Sequence, residues 1–217
     1  MQTRTKYLVN LAILSAMAYV VMVYGRIPVV LFLKYDPKDV IVVIGGLIFG
    51  PMASFLISLV VSFVEMITVS ENGWIGFVMN VLSTCCFACT AAFIYKKSQS
   101  LRGAVLGLAG GGLLAVAIMM LWNYLLTPIY MGIPRPAVVA LLLPAILPFN
   151  VLKVALNGAL TMLIYKPLVR ALRKADLIPP SSSTAPPDGK KSMGALLVSA
   201  AVLVTCILCV LALRGII

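Results

Sequence analysis

Histidine is absent from this sequence, and only six of its 217 residues are acidic. The first absence removes the commonest general base and metal ligand. The second leaves too few carboxylates to argue for a metal cluster. No stretch fits the phosphate-cradling pattern G-x-x-x-x-G-K-[ST], so the chain carries no ATP hydrolysis of its own. A cleavable leader is not expected either: Lys6 precedes an apolar run that is longer than a signal h-region and lacks a cleavage site. Thiol chemistry is also poorly supported. Cys85, Cys86, Cys89, Cys206 and Cys209 include two C-x-x-C spacings, but each pair sits inside an apolar run. Such thiols lack the charged neighbours that lower a thiol pKa and read as small apolar residues.

What the chain has in excess is apolar surface. Hydrophobic residues make up 62% and charged ones 11%, and the mean hydropathy is +1.11. That composition belongs to an all-α polytopic membrane protein. Spans are expected at 7–24, 74–95, 103–126, 149–165 and 194–213. The run 40–69 is too long for one perpendicular crossing at about 1.5 Å per residue. Gly50-Pro51 divides it into a short helix 40–49 and a longer one 52–69, a pair that enters and returns. Residues 25–38 read as a polar interruption, with Asp39 placed to cap the helix after it. Glu65 reads as an interface carboxylate or part of a loop. Residues 127–136 read as a rigid proline-rich loop, and 137–147 as a short helix over the bundle. The expected organisation is a six-helix membrane domain at 1–175, a flexible Pro- and Ser-rich linker at 176–192, and an additional transmembrane helix at 193–217.

The net charge of +11 would suit a nucleic-acid binder, but its placement follows topology instead. With the N-terminus cytoplasmic, eleven of the seventeen basic residues fall in cytoplasmic segments: Arg4 and Lys6, the 96–102 loop, the 166–174 cluster, and Lys190 with Lys191. Glycines at 103, 107 and 110–112 point to tight helix packing, and Ala12-x-x-x-Ala16 offers a small-residue face for another helix.

Polar residues inside the spans are few and grouped. Asn150, Lys153 and Asn157 recur at i, i+3 and i+7, one face of a helix. A lysine near a helix end can simply snorkel to the interface. An ionisable group at membrane depth is otherwise a functional-site hypothesis. Asn123 and Asp39 are expected at the same level, with Trp74, Trp122, Tyr124, Tyr130 and Tyr35 close in depth. Amides, one cation and one carboxylate in an aromatic-lined cavity suit a small planar polar ligand.

Four blocks then carry a resemblance: Phe32-Leu33-Lys34-Tyr35-Asp36 before Asp39, Gly46-Leu47-Ile48-Phe49-Gly50-Pro51, Trp122-Asn123-Tyr124 with Thr127-Pro128-Ile129-Tyr130, and Leu147-Pro148-Phe149-Asn150-Val151-Leu152-Lys153. Residues 1–175 resemble the substrate-binding membrane subunits (S components) of energy-coupling factor vitamin transporters. The last two blocks look most like the riboflavin-specific members. The resemblance implies a six-helix fold, not an enzyme, with an extracellular site under the outer loops. It implies that Asn123, Asn150 and Lys153, with an acid that is Asp39 or Asp36, hold an isoalloxazine ring. It implies docking through Ala12 and Ala16 on a transmembrane coupling protein that works with two ATPase subunits, with no resident cofactor, metal or nucleic acid. Other ligands of the class, another vitamin or a modified nucleobase, stay open. So does a non-transporting partner protein acting through the extra last span. A membrane enzyme with Lys153 or a cysteine as nucleophile lacks an accompanying base. The tail, 176–217, departs from the six-helix pattern.

Overall fold

The structure is a computed structural model, and it describes residues 4–30, 33–70, 72–175, 177 and 189–213. Helix α1 (Arg4–Gly25) leads into a hairpin of β1 (Ile27–Val30) and β2 (Leu33–Tyr35). Helices α2 (Lys38–Phe49), α3 (Pro51–Thr68), α4 (Gly73–Ser98) and α5 (Leu101–Met131) follow. Then come α6 (Arg135–Leu141), a π-helical turn (Leu142–Ile146), α7 (Leu147–Lys174) and α8 (Gly189–Leu213). Among the described residues, six helical stretches are long and apolar enough to cross a membrane: α1, α3, α4, α5, the α6–α7 rod and α8. The chain is a multi-pass membrane protein: a bundle of α1–α5 and the α6–α7 rod, with α8 added at its side.

The bundle is organised around α2. At 12 residues it is about 18 Å long, too short to cross a bilayer core of about 30 Å. Beyond Lys38 and Asp39 it is apolar on all sides, and every residue from Lys38 to Leu47 is buried, as expected of a helix enclosed by others. Ile41, Val42, Val43 and Leu47 form the core with Leu11 and Leu14 of α1, Ile57 and Val61 of α3, and Phe87 and Ala91 of α4. Gly50 (φ 96°) makes the turn between α2 and α3, and Pro51 opens α3 where its missing N–H costs nothing. The expected break at Gly50-Pro51 is therefore where the chain reverses. The tight packing expected of α5 takes place against α4: a Cβ on Gly111 would lie 2.3 Å from the carbonyl oxygen of Phe87.

Three elements differ from the sequence reading. The polar interruption contains a hairpin, with Ile27 opposite Tyr35 and Pro28 opposite Lys34. Pro28 is tolerated because a two-stranded ribbon has only edge strands. The proline-rich loop is largely helical: α5 continues through Pro128 to Gly132, whose φ of 66° ends it. A proline in the last turn of a long helix removes one N–H bond and leaves the rest intact. The short helix over the bundle is also no separate element. Residues 135–174 form one rod whose wider π turn takes in Pro144, while Pro148 sits in the first turn of α7. Most of the expected 176–192 linker lies outside the described residues, and α8 already begins at Gly189.

Candidate functional site

One end of the bundle holds a polar cavity of about 110 Å³, room for several waters or for a polar ligand that displaces them. Its walls come from the hairpin (Arg26, Lys34, Asp36), the α3–α4 junction (Glu65, Asn72, Asn80), the end of α5 (Asn123, Tyr130) and the start of α7 (Phe149, Asn150, Lys153). These segments are far apart in sequence. Antiparallel helix packing brings their ends to one level.

Two ion networks support the cavity. In the first, Arg26 Nε meets Asp36 Oδ1 at 2.7 Å, and Glu65 pairs with both Arg26 and Lys38. Burial disfavours the Arg26 charge, but the two carboxylates outweigh it and hold the guanidinium pKa above its ordinary value. In the second, Lys153 Nζ lies 3.4 Å from Asp39 Oδ2. Asp39 also accepts hydrogen bonds from Thr84 (2.7 Å) and Asn157 (3.2 Å). Tyr35 donates to Asn157 Oδ1 at 2.8 Å. Burial and the neighbouring Asp39 and Asp36 charges raise the Tyr35 phenol well above its ordinary value, so it stays a neutral donor. Within these two networks Arg26, Lys38 and Lys153 are matched by Asp36, Asp39 and Glu65. Charges at membrane depth survive only when paired in this way.

Asn123, Asn150 and Lys153 all line the cavity. Asn123 donates to Met119 O and accepts from Thr127, and Asn150 donates to Ile146 O. Both amides are thus fixed by their own helices. Asp39, 2% exposed, is not on the wall; it sits behind Lys153 and holds it, while Asp36 and Glu65 are the acids on the wall. Ala12 and Ala16 lie on the exposed face of α1, between exposed Leu8 and Val20.

Two readings from the sequence need correction. Glu65 belongs neither to the interface nor to a loop: it is 3% exposed and anchors buried Lys38 and half-buried Arg26. Only Tyr130 of the five nominated aromatics is on the wall. Trp74 is 67% exposed and meets Phe77 edge to face, and Tyr124 lies under Arg135 instead. Phe149, Met79 and Met119 supply the apolar wall. Arg26, Lys38, Asn80 and Thr84 were not singled out from sequence. For Lys38 and Glu65 a signal existed, a charge inside or against an apolar run, but not the partner.

A paired lysine and fixed amides on the wall of a closed-end cavity, in a multi-pass helical bundle, define a membrane protein that binds a small polar molecule. Residues 6–165 match the family described as "ECF transporter, substrate-specific component", and the chain belongs to that family. It is thus a transporter component and not an enzyme. It is 27% identical over 180 residues to the riboflavin transporter RibU of Staphylococcus aureus (strain TCH60), covering 79% of this chain and 94% of that one. It is 27% identical over 190 residues to the riboflavin transporter FmnP of Bacillus subtilis (strain 168), covering 80% and 99%. A solved structure described as the S component of a bacterial ECF transporter superposes with a TM-score of 0.67 at 26% identity, covering 79% of this chain and 99% of that chain.

Proposed function

We propose that this chain captures riboflavin at the outer face of the cell membrane and passes it inward as the substrate-specific subunit of an ATP-driven energy-coupling factor transporter. The observation that carries this is the placing of Lys153, Asn150 and Asn123 on one cavity wall, in a chain similar to riboflavin transporters. The edge of an isoalloxazine ring alternates carbonyls and N–H groups. Lys153 donates to a carbonyl there, and the two amides donate or accept as the edge requires. Tyr130 and Phe149 cover the apolar part of the ring. Asp39 acts through Lys153, holding its ammonium in place. Titration of the purified protein with riboflavin, followed by quenching of flavin fluorescence, tests the reading. Saturable binding that riboflavin holds against other vitamins is expected, and Lys166→Ala, at the opposite end of the bundle, should bind like the parent. A folded protein that quenches no flavin would overturn the proposal.

The N-terminus is cytoplasmic in this reading, because the basic segments then lie inside. The cavity end of the bundle faces out and the 96–102 turn faces in. A cysteine placed at Ser98, in a chain without its native cysteines, should react with an impermeant maleimide only after the cells are permeabilised. Labelling of intact cells would reverse the topology.

Delivery requires a transmembrane coupling protein and two ATPase subunits, since the chain has no phosphate-binding loop of its own. The exposed Ala12–Ala16 stripe is the docking face, where small side chains let a partner helix approach closely. We expect Ala16→Trp to keep riboflavin binding and lose uptake in cells. Parental uptake by Ala16→Trp would remove this face from the docking step.

A further inference from the structure

Helix α8 closes against the bundle over only part of its length. Near the hairpin, Leu203, Cys206 and Val210 pack with Val29, Leu152 and Leu156. Toward the other end, α8 stands off from α5 and α7 and leaves an apolar cleft of about 450 Å³. Leu108, Val154, Gly158 and Val198 are among its walls. The hydroxyl of Ser199 in the cleft donates its proton to the carbonyl of Ala195 in its own helix, so it has no donor left for a ligand. A second cleft, of about 360 Å³, continues from the first and shares Met162 and Ala195 with it. Its wall includes Lys166 and Arg170. The combined slot is therefore apolar along its length and cationic at its mouth.

We propose that α5, α7 and α8 form a binding slot for an anionic phospholipid, with the phosphate at Lys166 and Arg170 and an acyl chain between Gly158 and Val198. Length and charge both favour this occupant. From Lys166 to Val154 the slot follows α7 for twelve residues, about 18 Å, roughly the depth of one leaflet of a core about 30 Å thick. A spanning partner helix needs the full depth, and α8 blocks the hairpin half. The two cations match a headgroup phosphate and have nothing to offer a wholly apolar guest. The slot needs α8, which lies beyond the residues 6–165 that match the family.

The test is native mass spectrometry of the full-length protein in detergent, with dioleoylphosphatidylglycerol or dioleoylphosphatidylcholine added. The parent should retain one phosphatidylglycerol at least about tenfold more strongly than phosphatidylcholine, as two headgroup contacts would give. Lys166→Gln with Arg170→Gln should abolish that preference, and Lys96→Gln with Lys97→Gln should keep it. A Cβ on Gly158 would meet nothing within 4 Å, so a side chain can start there without displacing the backbone, and folded Gly158→Phe should retain neither lipid. Millimolar inorganic phosphate should not displace the lipid. The proposal is overturned by equal retention of both lipids in the parent, by equal loss of preference in the two double variants, by unchanged retention in Gly158→Phe, or by displacement with phosphate, which would make the mouth an ion site only.

Discussion

Lys153→Met should weaken riboflavin binding at least about tenfold, and by more than about a hundredfold if both of its electrostatic roles are lost together. The Lys153 side chain is 13% exposed and that of Asp39 is 3% exposed. The ammonium is therefore not a snorkelling group that keeps its water. It is a charged donor held on the cavity wall from behind. Losing a hydrogen bond from a charged group costs about 1.5–3 kcal/mol, and each 1.4 kcal/mol is about a decade in affinity. The substitution also leaves Asp39 buried with only the neutral donors Thr84 and Asn157. That penalty falls on stability first. Pairing Lys153→Met with Asp39→Asn removes the orphaned charge, so the double variant should recover most of the unfolding temperature and none of the affinity. Asp39→Asn alone should weaken binding less than Lys153→Met, because it loosens the ammonium without deleting it. Parental affinity in folded Lys153→Met would end the assignment of this cavity to the flavin ring.

The site was legible in the sequence wherever one helix carried the whole signal. Asn150, Lys153 and Asn157 stand out because polar residues at helical spacing interrupt an apolar run, and burial then follows from the run itself. Asn157 does not reach the cavity wall. It ties Tyr35 of the hairpin to Asp39, beneath Lys153. Gly50-Pro51 was legible for a similar reason: length excludes a single span, and of the two breaks in the run, Gly45-Gly46 and Gly50-Pro51, only the second adds a proline to open the next helix. Pairings between distant segments were not legible. Arg26, Lys38 and Glu65 meet because α2 begins at the floor of the hairpin, and nothing local to any of the three predicts the other two. The hairpin was missed because strands of four and three residues show no period to read. The aromatics misled for a different reason. Trp and Tyr near the ends of spans serve the membrane interface as readily as a cavity, and depth alone does not separate the two.

The largest loss of stability is expected from Glu65→Ala. Glu65 is the shared counter-charge of Arg26 and Lys38, whose side chains are 20% and 2% exposed. With Asp36 they form a neutral set of two cations and two carboxylates. Deleting the Glu65 carboxylate leaves Lys38 buried without its ion-pair partner, at the start of the helix that α1, α3, α4 and α7 enclose. Removing one partner of a buried pair costs about 3–5 kcal/mol, because the remaining charge keeps its desolvation penalty and loses the attraction that offset it. For a chain of this size, at roughly 2–4 °C per kcal/mol, that corresponds to a fall of about 6–20 °C in the unfolding midpoint in detergent. A loss of packing would give a different pattern. Glu65→Gln preserves the side chain's volume and should fall nearly as far as Glu65→Ala, since charge and not shape is what is missing. Combining Glu65→Gln with Lys38→Met removes the orphaned cation, leaves Arg26 with Asp36, and should restore most of the midpoint. If Glu65→Gln melts with the parent, or if adding Lys38→Met lowers the midpoint further, the ion network is not what fixes the hairpin and α2 at the floor of the cavity.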